Sequence, residues 1–318
     1  MGYSPFIESV RVELRTRRYS IKTEKVYLFW IRSFILFNDK RHPNEMGNHE
    51  IERFLNHLAL NRQVSPASQN QALCALIFLY RYVVKKEIRG LNYSFTKKEQ
   101  VMPTVLTHQE ATCIIDKMKG VHWLIASILY GSGLRINEAL SLRIKDLDLE
   151  NNMVFVFRGK GRKDRYSLLP KSLNNAISCQ IDKVKTLHQL DLSQGYGLTS
   201  LPPGLMRKYG NAIKDFSWQY LFPSTTRCVH PYDGYICRHH IHGSAFRKKL
   251  REAVQLAAIP KRVKAHTFRH SFATELLLQG TDIRTVQELL GHTDLKTTEI
   301  YTHVVGTRFG NTRSPIDR

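Results

Sequence analysis

The sequence predicts a mainly α-helical chain of two domains with one small antiparallel β-sheet, and three observations carry that prediction. Apolar residues recur at spacings of three and four through the first ninety positions, as one face of a helix requires. Between Arg89 and Met102 that periodicity stops. Beyond it, helical stretches enclose one pair of β-prone runs, Met153 to Phe157 and Tyr166 to Leu169, joined by a loop of glycines and cations, which reads as a hairpin. A chain of 318 residues is long enough for two cores.

In the first domain, 1–90, a short helix at about 4–17 precedes a longer one on which Val26, Tyr27, Trp30, Phe34 and Phe37 share a face. Ser20 or Thr23 is its N-cap. A third helix spans about 49–60. A fourth starts at Pro66, a residue suited to a first turn, and runs through Leu73, Leu76, Ile77, Tyr80 and Val84. Residues 91–104 hold Asn92, Ser94, Lys97, Lys98 and Pro103 and read as a linker whose cations grip a polyanion backbone.

The second domain, 105–318, opens on Thr107-His-Gln-Glu110, the spacing of a capping box. Helices are expected at Trp123–Tyr130 and Asn137–Leu142, then the hairpin with Lys160, Arg162 and Lys163 in its loop. Leu192 to Gly210 is rich in Gly and Pro around Pro202-Pro203-Gly204 and reads as an irregular insertion, at about 190–218 in all. Helices resume at Gly243–Ala258, Thr267–Leu278, Asp282–Leu290 and Asp294–His303.

Charge narrows the function. The net charge is +21, and both domains are basic, so a polyanion held by both is the simplest cause. Nucleic acid is favoured over a mere solubility charge. Hydrophobic residues at 42% exclude a disordered chain. No apolar run approaches the ~20 residues of a membrane span, and Met1 to Val10 has no export-signal pattern. Five scattered cysteines argue for reduced thiols in a cytosol.

Four islands carry the chemistry: Gly131-Ser-Gly-Leu-Arg135-Ile-Asn-Glu138, the loop with Lys160, His266-Thr-Phe-Arg269, and Gly291-His292 followed nine residues later by Tyr301. Singly each is weak. As an ordered set they resemble the tyrosine recombinase family, most like its integron integrases. The resemblance implies an N-terminal four-helix SAM-like core-binding domain and a tyrosine-recombinase catalytic domain, forming a C-shaped clamp on DNA. It also implies catalytic roles for Arg135, Lys160, His266, Arg269, His292 and the nucleophile Tyr301. The residue types suit the task, since moving a phosphodiester without metal needs cations for a pentavalent phosphate, a nucleophile and a proton donor. Arg135 and Arg269 would clamp the phosphate. Tyr301 would form a 3′-phosphotyrosine, Lys160 would protonate the departing 5′-oxygen, and His266 would be the acid–base partner of Tyr301. Gly291 is expected to cap a helix and hold His292 at its end. Glu138 is expected either to fix Arg135 or to be a surface charge. Asn137 stands where the family commonly has serine.

The integron likeness rests on the long stretch between Lys160 and His266. It implies action on folded single-stranded hairpin sites, read through protruding bases, and on a duplex integron site. Trp218, Pro203, His239 and His240 would supply a flat platform for such a base. Phe155 and Phe157 are a second candidate but, sharing one face of a strand, read first as core. The resemblance further implies a homotetramer on two sites, with segment 302–318 (Val304, Val305, Phe309) exchanged between protomers, a bacterial cytosolic location beside the nucleoid, and no cofactor. A zinc site among Cys228, His230, Cys237, His239, His240 and His242 lacks finger spacing, and a metal-dependent nuclease would need clustered carboxylates. The competing readings are a Xer-type or phage-type recombinase on duplex sites and a DNA-binding architectural protein with a dead site.

Overall fold

The computed structural model describes residues 4–88, 90–91, 102–157, 164–201, 205–294 and 297–301. Lys97, Lys98, Lys160, Arg162, Lys163, Pro203 and segment 302–318 therefore lie outside the described residues. The chain divides into two compact units, Met1–Val101 and Met102–Arg318.

The first unit is built from α1 (Pro5–Thr16), α2 (Ile21–Phe37), α3 (Asn48–Asn56) and α4 (Pro66–Phe78). Their starts obey local capping rules. Ser4, Ser20 and Ser65 each accept a hydrogen bond from a first-turn N–H, and Pro5 and Pro66 occupy first helical positions. The third and fourth helices each continue into a π-helical turn, His57–Asn61 and Leu79–Val84. Ile31, Phe34, Phe54, Leu76 and Tyr80 fill the core between the helices. Glu24 is buried there because Arg11 and Arg15 both donate to its carboxylate.

The second unit begins with α5 (His108–Asp116), α6 (Gly120–Ser132) and α7 (Ile136–Leu140). The Thr107–Glu110 capping box forms as its spacing predicts. Next come β1 (Leu147–Asp148), β2 (Met153–Val156) and β3 (Arg165–Leu168), an antiparallel sheet in that order. The two-residue β1 has no period to read, so the sequence shows the hairpin alone. Val154 and Val156 face the core. Phe155 stands on the other face beside Tyr166, and Phe157 is half exposed. The reading of both phenylalanines as core is thus corrected: alternation along β2 assigns the buried face to the valines.

A second correction follows the sheet. The helix α8 (Asn174–Ser193) occupies a stretch where the sequence predicts no helix. Its inward positions include His188 and Asp191, and these polar residues interrupt the apolar periodicity. Asp191 is buried because Arg238 pairs with both of its oxygens, at 2.5 and 2.6 Å. The described part of the insertion holds a short helix α9 (Leu205–Tyr209) and 3₁₀ turns at Gly210–Lys214 and Phe216–Trp218, where the composition suggests irregular chain.

A small hairpin, β4 (Cys228–Val229) and β5 (Ile236–Cys237), pairs Cys228 with Cys237. Its histidines are engaged one by one: His230 with the Leu201 carbonyl, His239 with Ser200, His240 with the Ile241 carbonyl, and His242 as a helix cap. Among the described residues no three His, Cys, Asp or Glu side chains converge on a metal position, and none of the described helices is long and apolar enough to cross a membrane.

The unit closes with α10 (Gly243–Leu256), α11 (Ala265–Leu278), α12 (Ile283–Leu290) and a helical segment at 297–301. Leu129, Leu140, Phe222, Phe246 and Phe268 anchor the main core. Phe272, Val286, Leu290 and Tyr301 form a smaller one beside it.

Candidate active site

Three chain turns deliver the site. The first follows α6, where Gly133 adopts φ +62° and caps the helix. A Cβ there would lie 2.3 Å from Phe272, so no larger residue fits. Two residues later Arg135 is the N-cap of α7, and Glu138 at the third helical position reaches back to its N–H at 2.9 Å. The i, i+3 spacing is therefore a cap, and the Glu138 side chain is only 9% exposed.

Glu138 is the hub. Its carboxylate accepts from Arg135 Nη1 at 2.8 Å and from both terminal nitrogens of Arg165 at 2.7 and 3.2 Å. Arg269 Nη1 lies 3.9 Å away. Burial alone would raise the Glu138 carboxyl, but the hydrogen bonds and charges of Arg165 and Arg135 outweigh it and hold the group down to about 2. One anion thus faces three guanidiniums, leaving a local surplus of positive charge.

Arg269, on the first turns of α11, is 1% exposed. Its Nη1 donates to the Gly133 carbonyl at 2.7 Å and its Nη2 to the Leu290 carbonyl at 2.5 Å. It therefore braces the turn before Arg135 against the end of α12, and each nitrogen keeps a second hydrogen. Burial and the neighbouring Arg135 lower this guanidinium to about 9, which leaves it cationic at neutral pH.

Gly291 takes φ +64° as the C-cap of α12, as its place in the sequence predicts. His292 follows, and its Nδ1 shares a hydrogen bond with Thr298 at 2.9 Å. Its ring lies 6.3 Å from that of Tyr301 at 20°. Burial and the facing Arg269 push the imidazole down to about 3, so it is neutral near pH 7.

Tyr301 is 2% exposed, and burial raises its phenol while Arg269 and Arg135 oppose that rise. The imidazole that reaches its hydroxyl is that of His270, through Nδ1 at 2.9 Å. His266 stands one turn earlier on α11, ring to ring 5.6 Å from His270. Burial and His266 lower His270 to about 4. Of the catalytic set expected from the sequence, the structure gathers Arg135, His266, Arg269, His292 and Tyr301 with Glu138.

Two participants were not singled out in the sequence. The i, i+4 spacing of His266 and His270 was a usable signal. Arg165 had none, because it opens a strand next to a run of cations.

The second set parts differently. Trp218, Tyr209, Phe155, Phe157 and Tyr220 line one cleft of about 500 Å³, whose polar positions include Lys145 and Lys208 with the carboxylates of Glu138 and Asp146. The Lys145 ammonium sits 3.0 Å from the Trp218 ring centre and Tyr209 packs on the same indole at 4.9 Å. Arg143, itself buried, donates to the Trp218 and Ser200 carbonyls and to Tyr220. His239 and His240 are not in this lining. They pack edge-on against Tyr220, at 5.6 and 5.3 Å.

Comparison with known proteins shows the family. Residues 104–308 match the model of the phage integrase family, and residues 6–89 match the phage integrase N-terminal SAM-like domain. The chain belongs to the phage integrase family of tyrosine recombinases. It is 40% identical over 312 residues to an integrase/recombinase of Escherichia coli, covering 98% of this chain and 93% of that one. It is 28% identical to the tyrosine recombinase XerC of Halalkalibacterium halodurans, covering 88% and 94%. The XerH site-specific recombinase bound to a palindromic difH substrate shares the fold of this tyrosine recombinase at TM-score 0.61 and 23% identity, covering 96% of this chain and 83% of that one. A lambda integrase dimer bound to a core site does so at 0.62 and 14%, covering 98% and 99%.

Proposed function

We propose that this tyrosine recombinase is of the integron integrase type, inserting and excising gene cassettes by acting on folded single-stranded hairpin sites and on a duplex integron site. The observation that carries the reading is the aromatic cleft around Trp218. Its five rings offer stacking to one protruding nucleotide, and Arg143, Lys145 and Lys208 outnumber the carboxylates Glu138 and Asp146 as a counter-charge to its phosphate. The cleft lies beside α7, the helix that Arg135 caps, so a base held there would fix the DNA close to the cutting centre. The solved relatives bound to difH and core-site DNA support DNA as the partner. A homotetramer on two sites and a cytosolic location go with the same reading.

The chemistry proposed is a transesterification. Arg135 and Arg269 bind the oxygens of the scissile phosphate. The Tyr301 oxygen bonds to phosphorus as the bond to the 5′-oxygen breaks, and Lys160 supplies the proton that the leaving oxygen needs. The phenolic proton passes to His270, with His266 behind it as the second acid–base group. His292, neutral, hydrogen-bonds the phosphate. Rejoining reverses these transfers with a different strand, and the retained phosphoester makes ATP unnecessary.

One DNA sequence offered as a nicked bottom-strand hairpin and as nicked duplex tests the reading. Adduct on the hairpin is expected. Trp218→Ala should lower that adduct about tenfold, since stacking one base on an aromatic ring is worth roughly 1–3 kcal/mol, and should leave duplex cleavage within about twofold. Adduct on duplex alone would place the protein with the Xer-type and phage-type enzymes, a reading favoured by the XerC relative. Binding without adduct on either form would favour a DNA-binding protein with a dead site.

A further inference from the structure

We propose that Arg165 is a positioning residue for strand cleavage, the joint that holds the Arg135 clamp and the His292 turn in one register. The inference rests on the reading of Arg135 as a phosphate clamp. Arg165 opens β3, and its side chain is only 8% exposed. Its two terminal nitrogens take both oxygens of Glu138, and its Nε donates to the Leu289 carbonyl at 2.9 Å. All three nitrogens of one planar fork are therefore spent on two different chain turns.

The approach to the second turn is built for this side chain. Gly291 has φ +64°, and a Cβ there would stand 2.8 Å from Arg165 Cδ, so the glycine both caps α12 and leaves room for the arginine. Arg165 and His292 line the same cleft of about 340 Å³. At the Leu289 carbonyl the guanidinium also meets the negative end of the α12 dipole.

The consequence for Arg135 is electrostatic. With Arg165 in place, Glu138 divides its lone pairs among several donors. Without it, both carboxylate oxygens turn to Arg135 and Arg269, and the fork that should face a phosphate is drawn to the carboxylate. Arg165 touches no reacting atom in this scheme. It sets how strongly Glu138 competes with substrate for Arg135.

The test is single-turnover adduct formation on the nicked hairpin oligonucleotide, with ordinary phosphate or neutral methylphosphonate at the cut. Arg165→Gln should lower the maximal rate on phosphate on the order of 10–100-fold, with half-saturating DNA unchanged within about twofold. Arg165→Lys should recover only part, because an ammonium cannot span both turns. On methylphosphonate, where less charge needs neutralising, the deficit of Arg165→Gln should shrink at least about tenfold. A normal rate on phosphate, a loss equal on both substrates, or a change in half-saturation alone would overturn the proposal. Arg135→Ala run alongside separates the two layers. If its deficit shrinks on methylphosphonate and that of Arg165→Gln does not, only the joint falls; if its own deficit does not shrink, the clamp reading fails and the joint with it.

Discussion

Tyr301→Phe is expected to reduce covalent protein–DNA adduct to background, a fall on the order of 10⁴-fold or more, while site binding stays within about twofold. The substitution removes one oxygen and leaves the ring. That ring is 2% exposed and packs with Phe272, Val286 and Leu290, so its packing survives. Among the described residues the hydroxyl hydrogen-bonds His270, and losing that bond costs about 1 kcal/mol of stability. A denaturing gel for the adduct and a shift assay for binding read the two effects separately. Loss of both together would mean that the phenol serves folding rather than attack.

Glu138→Ala is expected to be the most destabilising single change at the site. It removes the carboxylate that Arg135, Arg165 and Arg269 share, and uncompensated buried charge costs about 3–5 kcal/mol. For a unit of this size that is a fall in melting temperature of about 10 °C. The acid behaviour follows with a definite sign. The folded-state group is held down to about 2 against an ordinary 4.5, so its contribution is fully present above pH 4.5. It is lost as pH falls from 4.5 towards 2, and is worth about 3 kcal/mol at neutral pH. The stability gap between wild type and Glu138→Gln should therefore be flat above pH 5 and narrow steadily below it. Denaturant titrations at a series of pH values check this, and a gap independent of pH would show that Glu138 is not the buried anion described.

What the sequence could and could not show follows from the physics of each element. Helices with capped starts and one apolar face were legible, down to Ser20, Pro66 and the Thr107–Glu110 box. So was Gly291 as a cap, since a glycine directly after the last apolar residue of a helix suits the left-handed position. Helix α8 is hidden because its buried face carries His188 and Asp191, and the burial of Asp191 depends on Arg238, forty-seven residues later. The hairpin phenylalanines differ from expectation for a related reason: a β-strand has two faces, and the partner surface decides which is inside. The role of Arg165 is a relation across the fold, to Glu138, with no local motif, whereas that of His270 has only the i, i+4 spacing to His266 to mark it. The grouping of Trp218 with Tyr209 and Lys145 likewise depends on how the insertion returns to the domain.

The most direct measurement is to trap the protein on a nicked hairpin site without added metal, digest the adduct, and map the nucleotide-bearing residue by mass spectrometry. A 3′-phosphate joined to Tyr301 is the predicted result. A nucleotide on any other residue, or strand breakage with no covalent intermediate, would contradict the mechanism.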